Sequence, residues 1–168
     1  MCKKILTLLG FTLLLFSCSS DKNDGQVEEE VALNALVGTW NATELKIDNA
    51  SASDNAKLAK GILDLLTDKD CYVVTLKFNE DLTATATNSA SYVEFDLTGS
   101  SFDVPCPTEY DEESSTFTFE DGVVTTTDSN GKILMIDVDI DGNIMSVDAA
   151  DLDIPDFTDS GQLIFVRQ

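Results

Sequence analysis

Three glycine turns punctuate the second half of the chain, and the residues between them alternate in polarity. Phe117 and Phe119 lead to Asp121-Gly122, Val123 to Thr127 lead to Ser129-Asn130-Gly131, and Lys132 to Ile140 lead to Asp141-Gly142-Asn143. Asp-Gly and Asn-Gly supply the positive φ that tight hairpins need, and the alternating runs supply one apolar face per strand. Each strand is therefore expected to lie antiparallel to the next, in a meander of eight to ten strands. An open meander would expose two edges of unpaired backbone groups, and closure into a barrel removes both. The expected fold class is mainly β, an antiparallel up-and-down barrel.

The first half follows the same plan with one interruption. A first strand is predicted over Val37 to Ile47, with Trp40, Ala42 and Thr43 alternating imperfectly, followed by a polar gap from Asp48 to Asp54. Leu58, Ala59, Ile62, Leu63, Leu65 and Leu66 then recur at three-to-four spacing, which predicts one α-helix inserted after the first strand, over Asp54 to Leu66. Ser51 or Ser53 can cap it, and Thr67-Asp68-Lys69-Asp70 ends it. Such a helix buries its apolar face over a barrel end or flank; a ligand lid is the alternative. From Cys71 on, Tyr72, Val74, Leu76 and Phe78 share a face. After Asn79-Glu80-Asp81 comes a run whose inward set, Leu82, Ala84 and Ala86, is small, leaving room for a bulky neighbour or a cavity. A fourth strand is predicted near Ser91 to Leu97, and residues 98–115, with Gly99, Pro105 and Pro107, read as an irregular connection.

The N-terminus reads as a leader. Lys3 and Lys4 precede a run of 12 residues, Ile5 to Phe16, too short to span a bilayer. Leu15-Phe16-Ser17-Cys18 resembles the bacterial lipobox. That resemblance implies cleavage before Cys18, diacylglycerol on its sulfur and acylation of the new amino terminus, enough acyl chains for stable membrane anchoring. The chain then divides into a signal peptide at 1–17, a lipidated Cys18 with a flexible acidic tether at 18–32, and a barrel domain at 33–168. The tether expectation rests on composition, since Ser19 to Glu30 holds a single apolar residue, Val27.

Composition excludes several classes. With a formal charge of −21, more negative once Lys3 and Lys4 leave, the surface repels phosphate backbones, so nucleic acid is not an expected partner. There is no His, which removes Ser-His-Asp and Cys-His catalysis and His-based zinc sites. No carboxylate pair stands out among 31 acids, so no enzyme, cofactor or resident metal is expected. Cys2 leaves with the leader and Cys18 is committed to lipid, which leaves Cys71 and Cys106 to form a disulfide in an oxidising envelope compartment. Asp137-Val138-Asp139-Ile140-Asp141-Gly142 matches the opening of an EF-hand calcium loop, with Asp148 at the twelfth position. The alternation of Leu134, Ile136, Val138 and Ile140 argues instead for a strand with Asp137, Asp139 and Asp141 turned to solvent. For a glycan platform, Tyr92 and Tyr110 are the available aromatics, and rim packing is the competing role.

Gly38-Thr39-Trp40, the hairpin Phe78-Asn79-Glu80-Asp81-Leu82-Thr83 and the closing Phe165-Val166-Arg167 occur in the order found in lipocalin-like domains. Taken with the lipobox and Ser19, residues 33–168 resemble the lipocalin-like domain of Bacteroidetes-type bacterial surface lipoproteins. Leu82 stands where that family usually has Gly. The resemblance implies that Trp40 and Arg167 pack together to close one barrel end. It also implies a protein lipid-anchored at the outer membrane or cell surface of a Gram-negative bacterium, with a small apolar or lipid-like ligand inside. The sequence does not fix the oligomeric state, and a monomer is expected. The alternative is a structural or glycan-binding accessory subunit whose barrel is filled by its own side chains.

Overall fold

The computed structural model describes residues 24–95, 103–152 and 159–168, with side chains from residue 30 onward. Cys18 and the leader lie outside the described residues. The described chain forms helix α1 (Asp24–Leu36), strand β1 (Gly38–Ile47), helix α2 (Asp54–Thr67) and strands β2 (Val74–Phe78), β3 (Thr83–Asn88), β4 (Asp111–Glu120), β5 (Val123–Thr127), β6 (Ile133–Asp141), β7 (Ile144–Asp148) and β8 (Gly161–Arg167). The strands pair in sequence order, all antiparallel, and β8 returns to β1 to make a closed eight-stranded barrel. First and last strands meet with Trp40 opposite Arg167.

The β2–β3, β4–β5 and β6–β7 turns share one end of this barrel and the β5–β6 turn lies at the other, as up-and-down topology requires. Glu120 pairs with Val123 across Asp121 (φ 52°) and Gly122 (φ 80°), the two positive values a two-residue type I′ hairpin needs. Asp141 pairs with Ile144 across Gly142 (φ 62°) and Asn143. The β2–β3 connection is built differently. The Asn79 amide donates to Thr83 Oγ1 (2.9 Å), while Asp81 Oδ1 accepts from the Thr83 backbone (3.1 Å) and hydroxyl (2.6 Å). These bonds to Thr83 hold the Asp81 carboxyl below the usual range. Leu82 is thereby kept at φ 62°, a left-handed value that costs a β-carbon about 1 kcal/mol. Leu82→Gly is expected to raise stability by about 0.5–1 kcal/mol, read as a higher urea midpoint. A lower midpoint would mean that the contacts of this 39 % exposed side chain outweigh the strain.

The single predicted helix is present as α2, ending one residue later than expected. Ser53 is its cap, with Oγ accepting from the Ala56 N–H (3.1 Å). Both the Ser53 N–H (2.8 Å) and hydroxyl (2.6 Å) donate to Asp159, which lies just before β8. These two bonds hold the Asp159 carboxyl below its usual range and tie the helix N-terminus to the chain entering β8, the neighbour of β1. At the other end of α2, the Thr67 hydroxyl donates to the Thr43 carbonyl (3.3 Å), where a register shift between Ala42 and Glu44 bulges β1. Leu63 and Leu66 are buried in the same cluster as Trp40 and Ala42.

Three expectations need correction. The segment read as a flexible tether, 18–32, is helical from Asp24 onward, so there are two α-helices rather than one. Composition judged that segment by what it could bury, whereas Glu28-Glu29-Glu30, Ala32, Leu33 and Ala35 are good helix formers and Leu36 is fully buried at its end. The predicted strand at Ser91 to Leu97 is not one over its described part: Ala90–Tyr92 is a 3₁₀ turn and Val93 to Phe95 are irregular, while 96–97 lie outside the described residues. Asn88 Oδ1 accepts the Ala90 N–H (2.9 Å), an Asx turn that winds the chain out of the sheet. Conversely, Asp111-Glu112-Glu113, read as part of an irregular connection, begins β4, because its backbone completes the ladder to β3 from Asn88–Asp111 to Thr83–Thr116.

Candidate functional site

Alternation along each strand sorts side chains into an inside and an outside. On β4, Phe117 and Phe119 are buried and Thr116, Thr118 and Glu120 exposed. The same period of two carried back puts Ser115, Glu113 and Asp111 on the aromatic face, where the strand end opens to solvent and Glu112 and Ser114 border the cavity as well. The inward series is a polarity gradient running from carboxylates at one barrel end to buried aromatics at the other. The two ends of the barrel therefore differ in chemistry.

The aromatic end is closed. Trp40 is fully buried, and Arg167 places its guanidinium carbon 4.4 Å from the indole centroid, a cation–π distance. Gly38 sits at φ 144°, a conformation that favours glycine two residues before the tryptophan, and its α-carbon packs against the Arg167 side chain. The same pair also ends α1. The Trp40 indole N–H donates to the Leu36 carbonyl (2.7 Å), Arg167 Nη1 donates to the Val37 carbonyl (2.8 Å), and Nη2 donates to the Ala35 carbonyl. A helix leaves its last carbonyls without partners, and a cation beside them also meets the negative end of the helix dipole. Arg167 Nε is buried with no hydrogen-bond acceptor, so its positive edge is answered by the indole rather than by an oxygen.

The other end holds a cavity of about 770 Å³. Its deep wall is apolar: Val74, Leu76 and Phe78 from β2, Val124 from β5, Leu134 and Ile136 from β6, and Leu163 from β8. At the base, Phe78 and Phe117 meet edge to face with centroids 5.1 Å apart. The room comes from β3, where Ala84 and Ala86 lie opposite Ser115 and Glu113 and leave space that larger residues would fill. At the rim are Asn88, Asp111, Glu113, Asp128, Ser129 and Asp151. The Ser129 hydroxyl donates to Glu113 Oε1 (2.7 Å), and the Tyr92 hydroxyl donates to Asp111 Oδ1 (2.8 Å). That bond to Asp111 raises the Tyr92 pKa above its ordinary value. Deeper in, the Thr126 hydroxyl donates to Ser115 (2.8 Å) and joins β5 to β4.

The remaining sequence-selected residues fall away from this cavity. Cys71 and Cys106 are joined in a disulfide with Cα atoms 5.9 Å apart. Beside it, Lys69 Nζ contacts Asp103 Oδ1 (2.8 Å) and donates to the Val104 carbonyl (2.7 Å). No residue of α2 lines the cavity, so the helix is a flank cover and not its lid. Asp137, Asp139 and Asp141 point outward from β6, an extended strand and not a calcium loop. Among the described residues, no cluster of three acidic or cysteine side chains could hold a metal. Tyr110 is 59 % exposed on the chain entering β4, while Tyr92 is half-buried. Sequence reasoning found the small inward residues of β3 but missed the carboxylates facing them. The signal was the period of two running back from Phe119 and Phe117 to Glu113 and Asp111.

No protein-family model matches the chain, and no curated protein or solved structure matches it.

Proposed function

We propose that the protein is a lipid-anchored lipoprotein of the bacterial outer membrane or cell surface whose barrel binds a small apolar or lipid-like molecule without transforming it. The observation that carries this reading is the cavity. At about 770 Å³ it is within the roughly 300–1,000 Å³ of small-molecule sites, with apolar walls and a few polar groups at one end, as such sites are built. A barrel filled by its own side chains, as in the structural or accessory alternative, would not leave that volume. The lipocalin-like resemblance agrees with this reading, since in that family the Gly38-Trp40 and Arg167 pair closes the end opposite the ligand. Catalysis has no support in the lining, which offers carboxylates and hydroxyls but no imidazole or thiol.

The position of the N-terminus adds an orientation. The chain enters β1 at the closed end, beneath Trp40 and Arg167, whereas the cavity opens among the ends of β3, β4 and β5. An acylated Cys18 would thus tether the closed end and leave the mouth facing away from the membrane.

The test is binding of N-phenyl-1-naphthylamine, a neutral apolar fluorophore, alongside native mass spectrometry of protein purified from its own host. Saturable fluorescence enhancement and a co-purifying molecule at one equivalent are expected. Ala86→Phe places a ring in the cavity opposite Glu113 and beside Leu76 and should weaken the probe by roughly tenfold or more while leaving the fold intact. Absence of saturable binding together with absence of any co-purifying mass would reject the binding reading in favour of the accessory role.

A further inference from the structure

Resting on the binding role just proposed, the charge of the ligand can be read from the way the cavity ends. The apolar wall gives way within two inward positions of β4 to Glu113 and then Asp111. Two more carboxylates line the cavity: Asp128, at the end of β5, whose Oδ1 accepts from the Asn130 and Lys132 N–H groups, and Asp151, after β7, whose Oδ2 accepts the Asp137 N–H. Among the described residues, no Lys or Arg lines the cavity. The inward carboxylates are also held in place by neutral donors. Ser129, just past the end of β5, donates to Glu113 Oε1 on the neighbouring β4, and Tyr92 donates to Asp111 Oδ1, so both carboxylates are oriented by neutral donors. Like charges gathered around a concave, partly apolar mouth reinforce one another's potential, and a cation placed there replaces repulsion with attraction.

We infer that the molecule taken up is a cationic amphiphile, with an apolar chain or ring system against Leu76, Phe78, Val124 and Ile136 and an ammonium or guanidinium head between Glu113 and Asp111. The depth suits a chain. From Asp111 to Phe117 the strand advances six residues, about 20 Å at 3.3 Å per residue, or about 15 Å of depth for a strand tilted by about 40° to the barrel axis. A neutral lipid would fill the same apolar space but leave the rim carboxylates facing one another, and an anionic one would add to their repulsion. Selectivity for positive charge is thus set at the mouth, while affinity for apolar matter is set by the wall.

The experiment is displacement of N-phenyl-1-naphthylamine from the full mature chain by dodecylammonium, dodecanol and dodecyl sulfate, each below its micelle concentration. At low salt, dodecylammonium is expected to displace the probe at roughly tenfold or more lower concentration than dodecanol, with dodecyl sulfate weakest. At about 0.5 M salt, where screening acts within a few ångströms, that advantage should shrink several-fold. Asp111→Asn with Glu113→Gln should abolish the preference, bringing dodecylammonium to the level of dodecanol in the same variant, and Glu113→Gln alone should reduce it. Asp139→Asn with Asp141→Asn removes as much charge from the outward face of β6 and should change nothing. Equal displacement by dodecylammonium and dodecanol, or an equal loss of preference in the outward pair, would overturn the inference while the binding role stands. Failure of the naphthylamine to bind, together with absence of any co-purifying mass, would remove the binding role, and this inference with it.

Discussion

Trp40→Ala is expected to lower stability by about 3 to 5 kcal/mol, the range for deleting a large aromatic from a packed interior. The side chain is fully buried, and its loss also leaves the Leu36 carbonyl without the indole N–H that now satisfies it. Arg167→Ala should cost less by itself but couple to the tryptophan, because the guanidinium lies over the ring and both groups hold the end of α1. In a double-mutant cycle followed by urea unfolding, a coupling of about 0.5–3 kcal/mol is expected for groups in contact. Simple additivity would mean that the cation–π geometry carries no energy of its own. The arginine variant has a second readout: with two of its terminal carbonyls uncapped, α1 should become sensitive to protease between Asp24 and Leu36 while the barrel resists.

Replacing both Cys71 and Cys106 with alanine should cost about 3 to 4 kcal/mol, the chain-entropy value for releasing a 35-residue loop in the unfolded state. The loop contains β2, β3 and the 3₁₀ turn, so the crosslink ties the start of the second strand to the approach into the fourth. Its surroundings are packed as well: Val104 is 1 % exposed and its carbonyl is held by Lys69. A loss of less than about 1 kcal/mol would show that these contacts hold the connection unaided and that the entropic account fails here. Chemical denaturation of the wild type with and without reductant, beside the double variant, separates the crosslink from the side-chain change.

Much of the barrel was legible because its signals are local. Asp121-Gly122 and Gly142-Asn143 take their turn conformations from residues two apart, and α2 announced itself through Leu63 and Leu66 at helical spacing and a serine cap. The cysteine pair followed from counting. The misread elements are those settled by a distant partner. Asp111 to Glu113 look like a solvated loop until β3 offers them a ladder, and Val93 to Phe95 look like a strand until the Asn88 turn takes the chain away. The EF-hand likeness of Asp137 to Asp141 failed for the reason period two suggested, since a strand cannot fold its alternate carboxylates around one ion.

The sequence by itself determined which side of each strand is apolar and where the chain turns, because both depend on backbone conformation and periodicity, which neighbouring residues control. That Gly38, Trp40 and Arg167 suit one another came only from the resemblance to lipocalin-like domains. Only the tertiary structure decided that Trp40 and Arg167 also terminate a helix, that Ala84 and Ala86 border a cavity rather than a bulky neighbour, and that Asp111 and Glu113 stand at its mouth. Empty volume and the field around it are made by eight strands at once, and no single stretch of chain specifies how much space the others leave.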